Sequence, residues 1–141
     1  MPYATAVDIE TIYGRDVLNA VADRSGSGYQ DESAIAAALQ ASEDEINAYL
    51  GGRYRVPLSP VPPYIRQMCV DITVYRLALD VIPRTEEMRL RYLDHINYLK
   101  AVAAGKIDLP GVGGSGGGDS GDGSGSNSAG TGAKILNSRR G

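Results

Sequence analysis

The sequence predicts an all-α protein: a small bundle of about four to five helices, with a proline-rich extended turn and a flexible Gly/Ser-rich C-terminal arm. Three observations predict it. Apolar residues recur at spacings of three and four over residues 35–50, 65–81 and 88–103. Capping residues stand ahead of the helical stretches, at Thr5, at Asp31 or Ser33, and at Thr85. Helix-stopping residues stand behind them, at Gly14, Gly51-Gly52, Pro83 and Gly105.

Tyr3 to Ala22 reads as two short helices. Thr5 caps the first, with Asp8 and Glu10 near its positive end, and Gly14 ends it in a left-handed turn. Val17, Leu18 and Val21 give the second an apolar stripe. Residues 23–30 form a loop by composition. The third helix places Ile35, Leu39, Ser42, Ile46, Tyr49 and Leu50 on one face and Glu43, Asp44 and Asn47 on the other.

Residues 53–63 hold Pro57, Pro60, Pro62 and Pro63, which forbid a helix and force an extended path. Pro62 or Pro63 suits the first turn of the next helix. That helix, from about Tyr64 to Val81, is apolar on most sides and should be the buried centre. Its charged exceptions are Arg66, Asp71, Arg76 and Asp80, of which Arg76 and Asp80 stand four apart and can pair. The last helix carries Met88, Tyr92, Leu93, Ile96, Leu99 and Ala103 as its inward stripe.

The chain of 141 residues fits one folded domain over residues 1–110, followed by a tether at 111–132 and a tip at 133–141. The tether contains 11 of the 18 glycines. Such a segment cannot offset its ordering entropy by burial. Twenty-two Gly-rich residues span roughly 26 Å on average and about 75 Å fully stretched. The tip regains apolar and basic character in Lys134, Ile135, Leu136, Arg139 and Arg140. A disordered tail has little reason to place Ile and Leu after so polar a run, so these five residues are the candidate partner-binding set.

Net charge is −3, divided unevenly. Residues 1–110 hold 11 Lys/Arg and 15 Asp/Glu, a net of −4, whereas the last nine residues hold three bases and no acid. An acidic body argues against a general nucleic-acid binder. Arg53, Arg55, Arg66, Arg89 and Arg91 are the residues a DNA-binding reading would need. Nine Tyr stand with no Phe or Trp, so the aromatic bulk of the core carries hydroxyls that want partners.

No catalytic or cofactor-binding constellation is legible. His95 and Cys69 are the only His and Cys, too few for a zinc site. Cys69 sits among apolar neighbours and reads as a structural thiol that cannot form an intrachain disulfide. The loop Asp23 to Asp31 spaces its oxygens like a calcium loop, but Ala34 stands where the bidentate Glu should be. The glycine run lacks the Gly-Lys-Ser/Thr ending of a phosphate loop. With no apolar run of about 20 residues and no basic-then-apolar leader, the chain is expected to be soluble, made in a cytoplasm and without a membrane partner.

One order of motifs carries a resemblance. It runs from Tyr3-Ala4-Thr5 through Tyr13-Gly14 and Asp23-Arg24 to Ile46-Asn47-Ala48-Tyr49-Leu50-Gly51-Gly52-Arg53-Tyr54. Val56-Pro57-Leu58, Val61-Pro62, Cys69-Val70-Asp71-Ile72, Tyr75-Arg76-Leu77, Arg91-Tyr92 and Leu99-Lys100 follow. Over about residues 3–109 this resembles the family of small structural proteins of Mu-like phages and prophages, similar to gp36 of phage Mu. That family is related in fold to the head-completion adaptors of long-tailed phages. The Gly-rich tether departs from the family's more compact tail.

The resemblance implies a non-enzymatic structural role with no cofactor. Its protomer would repeat as a homo-oligomeric, twelve-fold ring beneath the portal protein, in the neck of a virion assembled in the bacterial host cytoplasm. The ring would extend the DNA channel without sequence-specific binding and meet a neck or tail-completion protein. Lys134, Ile135, Leu136, Arg139 and Arg140 would then touch the portal or a neighbouring subunit. The alternative is a regulatory helical module that binds a protein partner through its C-terminal arm.

Overall fold

A computed structural model of the chain describes residues 2–23, 25–78 and 85–113. Among them are five helices and no strand: α1 Ala6–Tyr13, α2 Arg15–Ala22, α3 Glu32–Leu50, α4 Pro63–Ala78 and α5 Glu86–Ala103. The Gly/Ser-rich arm beyond residue 113, the tip with Lys134, Ile135, Leu136, Arg139 and Arg140, and the stretch 79–84 with Asp80 and Pro83 lie outside the described residues.

Local chemistry places the helix ends. Thr5 and Asp8 form a reciprocal capping box: the Thr5 hydroxyl accepts from the Asp8 amide, and the Thr5 amide donates to Asp8 Oδ2 at 2.8 Å. Gly14, at φ +96°, separates α1 from α2. Asp31, not Ser33, caps α3 by accepting from the Ala34 amide. Pro63 opens α4. Thr85 caps α5 through the Met88 amide. Gly105, at φ +81°, ends α5: its amide bonds Val102 O while the Lys106 amide bonds Ala101 O. That paired closure satisfies the last carbonyls of the helix.

Helix α4 is the centre, as its composition predicts. Ile65, Met68, Cys69, Val70, Ile72, Val74, Leu77 and Ala78 are all buried, and α4 packs against each of the other four helices. Ile9 of α1, Leu18, Val21 and Ala22 of α2, Ile35, Ile46 and Leu50 of α3, and Ile96, Leu99 and Val102 of α5 close around it. Helix α5 turns slightly from its expected setting. Leu93 and Ala103 face outward, and Val102 is buried instead.

The proline-rich turn joins α3 to α4 and is pinned from the N-terminus. The Leu58 amide donates to the Tyr3 hydroxyl at 2.8 Å, and that hydroxyl donates in turn to Asn47 Oδ1 on α3. Val56-Pro57 and Ser59-Pro60 are cis peptides.

Candidate functional site

Three polar clusters hold the bundle, and each joins segments far apart in sequence. The first centres on Asp71 of α4, whose side chain is 4% exposed. Its Oδ1 accepts from the Tyr13 hydroxyl at 2.7 Å and from Gln67 Nε2 at 3.0 Å, and its Oδ2 meets His95 Nε2 at 2.7 Å. Arg91 of α5 donates to the Tyr13 hydroxyl at 2.8 Å and pairs with Glu87. Helices α1, α4 and α5 therefore meet on one carboxylate. Burial alone pushes the Asp71 carboxyl up, but the hydrogen bonds from His95, Tyr13 and Gln67 outweigh it and hold it below the usual range. Burial first, and then the bond to Asp71, pushes the Tyr13 hydroxyl up to about 12.

The second cluster ties α3 to α4 and α5 through Glu45. Arg76 donates to its Oε1 at 2.7 Å and the Tyr92 hydroxyl to its Oε2 at 2.9 Å. Tyr75 stacks on Tyr92 with ring centres 4.2 Å apart. Arg76 thus pairs with Glu45, 31 residues away, while Asp80, the partner its spacing suggested, lies outside the described residues. Deeper in the same seam Thr73 lies 2.9 Å from the Ser42 hydroxyl, which donates to Ala38 O.

The third cluster fastens the segment after α5. Arg53 donates to Val102 O at 2.7 Å, to Ile107 O at 3.0 Å and to Asp108 Oδ1 at 2.6 Å. The Leu109 amide donates to the Tyr54 hydroxyl at 2.9 Å, and the Tyr64 hydroxyl donates to Pro110 O at 2.7 Å. The chain leading toward the arm is therefore held against the segment that follows α3 and against the start of α4. Sequence reasoning missed this clasp. The available signal was the Tyr excess without Phe, which implied hydroxyls in use.

These clusters brace the fold. The one His is engaged by Asp71. Burial pushes the Cys69 thiol up to about 12, so the sulfur is held in the neutral form that neither attacks nor ligates well. In the loop tested for calcium, the Asp23 carboxylate accepts from the Ser27 and Gly28 amides at 2.8 Å each, which lowers its pKa, Gly28 contributing most. Asp31 is used by the α3 cap. The loop is a turn followed by a helix cap.

The arginines a DNA-binding reading needs are not gathered. Arg53 is bound at the C-terminal end of α5, whereas Arg89 pairs with Glu86 and Arg91 with Glu87 at its other end. At 1.5 Å per residue, Arg89 and Arg91 lie about 20 and about 17 Å along the helix from Val102, which Arg53 binds. No helix among the described residues is long and apolar enough to cross a membrane. The outward apolar side chains include Val7 and Ile12 on α1, Val17 on α2, and Leu90 and Leu93 on α5.

Comparison with known proteins decides the family. The family model described as "Bacteriophage Mu, Gp36" matches residues 3–122. The chain belongs to the bacteriophage Mu Gp36 family. The match spans all five helices and the clasp after α5, and it continues past residue 109 into the first part of the Gly-rich segment. Among Gp36 relatives, the chain is 34% identical over 107 residues to "Mu-like prophage FluMu protein gp36" of Haemophilus influenzae, covering 76% of this chain and 74% of that protein. It is 30% identical over 113 residues to "Gene product J" of Escherichia phage Mu, covering 79% and 78%. The Gp36 match makes this a bacteriophage protein with an all-α fold.

Proposed function

We propose that the chain is a structural, non-enzymatic head-tail connector of the virion neck: one subunit of a homo-oligomeric ring below the portal protein. The ring, twelve-fold in this reading, extends the DNA channel and joins the head to a neck or tail-completion protein. The observation that carries the proposal is membership of the Gp36 family over residues 3–122, taken with the resemblance to head-completion adaptors drawn from the sequence.

Physical features support it. A body of net charge −4 over residues 1–110 suits a channel that DNA must pass without being gripped. The buried Asp71 carboxylate is hydrogen-bonded within the fold by Tyr13, Gln67 and His95, which suits a rigid building block. Leu90 and Leu93 on the outer face of α5 offer apolar surface to a neighbouring subunit. Lys134, Ile135, Leu136, Arg139 and Arg140 supply the docking tip toward the portal or an adjacent copy.

The test is sedimentation of the purified protein, alone and with portal-bearing capsids. Co-sedimentation as a ring at the portal vertex is the expected result. A protein that stays monomeric and ignores the capsids overturns the connector reading in favour of a regulatory module. Deleting residues 133–141 should leave the bundle folded and abolish stable head-to-tail joining.

A further inference from the structure

Tyr29 is the one exposed tyrosine of the nine, and at 79% it is the most exposed large apolar side chain among the described residues. It stands on the turn between α2 and α3. The turn is braced: the Asp23 carboxylate accepts from the Ser27 and Gly28 amides at 2.8 Å each, and the Tyr29 amide donates to Ser27 Oγ at 3.3 Å. The Asp31 amide closes it onto Ala22 O at 2.8 Å. Gly26 and Gly28, at φ +72° and +87°, allow so tight a path. A backbone held this way presents the ring as a knob with little ordering cost left on binding. Glu32, also exposed, follows three residues later.

Beyond the other end of α3 lies a groove of about 700 Å³. Pro57, Pro60, Pro62, Pro110 and Val112 line it, and Arg55 is its one charged residue. Proline has no amide hydrogen, so the groove offers ring faces and carbonyls and no strand edge. What it can grip is a side chain that packs on flat apolar surface, and an aromatic ring beside a guanidinium is such a group. The walls are fixed in advance: the Leu58 amide is held by the Tyr3 hydroxyl, and the Tyr64 hydroxyl by Pro110 O. Helix α3 has 19 residues, so its two ends stand about 27 Å apart. A copy therefore cannot seat its own knob, whereas a second copy can bring one. Glu32 beside the knob and Arg55 in the groove carry the opposite charges that such a contact needs.

We infer that the Tyr29 turn of one copy seats in the proline-lined groove of a second copy, with the ring on the prolines and Glu32 toward Arg55. The contact is head-to-tail, because each copy gives one surface and receives on a different one. Contacts of that kind close into a ring when the rotation between copies divides a full turn. An open row of copies keeps one unused knob and one unused groove, and only closure satisfies both. An aromatic anchor in a preformed pocket is the usual form of an interface hot spot. The inference rests on the ring reading and deepens it by naming the surfaces through which neighbouring subunits meet.

The experiment joins two full-length variants, Ser25→Cys on the knob turn and Ser59→Cys in the groove, with a short bis-maleimide. Both positions are exposed, and Cys69 is buried. The linking is run on the free protein at high concentration and on portal-bearing capsids. The expected result is a dimer that links one S25C chain to one S59C chain, with little product from either variant alone. Adding Tyr29→Ser to the S25C chain changes only an exposed side chain and should lower the yield about tenfold or more, as loss of a hot spot does. Arg55→Glu in the S59C chain should lower it too, and Glu32→Arg in the S25C chain should restore it. Products from one variant alone that match the mixture overturn the inference, since they show like surfaces meeting. A yield untouched by Tyr29→Ser, or no linking in either setting, also overturns it. Rings on capsids without this link overturn the inference and leave the connector proposal standing. The link formed in solution by a protein that ignores capsids supports the contact and counts only against the connector proposal.

Discussion

The Tyr13 hydroxyl donates to Asp71 Oδ1 at 2.7 Å across 58 residues of sequence, and it accepts from Arg91 at the same time. One phenol thus couples the last residue of α1 to a buried carboxylate on α4 and a guanidinium on α5. Tyr13→Phe keeps the ring and removes both bonds. It leaves Asp71 with His95 and Gln67 alone and should cost about 1–3 kcal/mol, since a buried group then loses a partner. Urea unfolding of the two proteins measures this. A change within error would mean that the bond is not maintained in solution.

The lowered Asp71 pKa makes stability depend on pH, and the sign follows from linkage. A carboxyl whose folded pKa lies below its unfolded value of about 3.9 contributes stability above that value and loses it as pH falls. Asp71→Asn should therefore be less stable than wild type at pH 7. The gap should narrow as pH drops through about 4 and below. Unfolding midpoints collected from neutral to acid pH test it. A gap that stays constant would show that the carboxylate charge is not what the network stabilises.

Arg53 holds two carbonyls and a carboxylate with one planar fork, a geometry lysine cannot reproduce. Arg53→Lys should loosen residues 105–112 by about 1.5–3 kcal/mol, the range for hydrogen bonds involving a charged group. Hydrogen exchange at the Leu109 amide, which Tyr54 accepts, should accelerate markedly, while exchange in α4 changes little. Equal acceleration in both places would show that the clasp cannot open separately from the bundle.

Cys69 gives a readout of global opening. It is 1% exposed, with a thiol pushed up to about 12 by burial. Alkylation at neutral pH should be slow in native protein and should rise with the unfolded fraction in urea. Rapid alkylation under native conditions would contradict the buried setting.

Much of the fold was legible because helix ends are chosen by neighbours in sequence. Thr5, Asp31 and Thr85 cap helices through amides three residues away, and Gly14 and Gly105 close them with a positive φ. The buried character of α4 followed from its composition, and the use of the tyrosine hydroxyls from the absence of Phe. The candidate docking residues from Lys134 to Arg140 were read from composition alone and lie outside the described structure.

The sequence by itself determined where the helices lie, which of them is central, that the body is acidic and that its end is basic. Periodicity, capping and charge counts are local properties, each readable within a few residues. Only the tertiary structure decided the partners. Asp71 meets His95 and Tyr13, Glu45 takes Arg76 from 31 residues away, and Arg53 reaches Val102 and Asp108. It also decided the rotation of α5, which buries Val102 and turns Leu93 outward. A spacing of three or four is satisfied by several neighbouring stripes of one helix. Which stripe turns inward, and which polar groups then meet, is set by packing against helices 24 to 58 residues away in the chain.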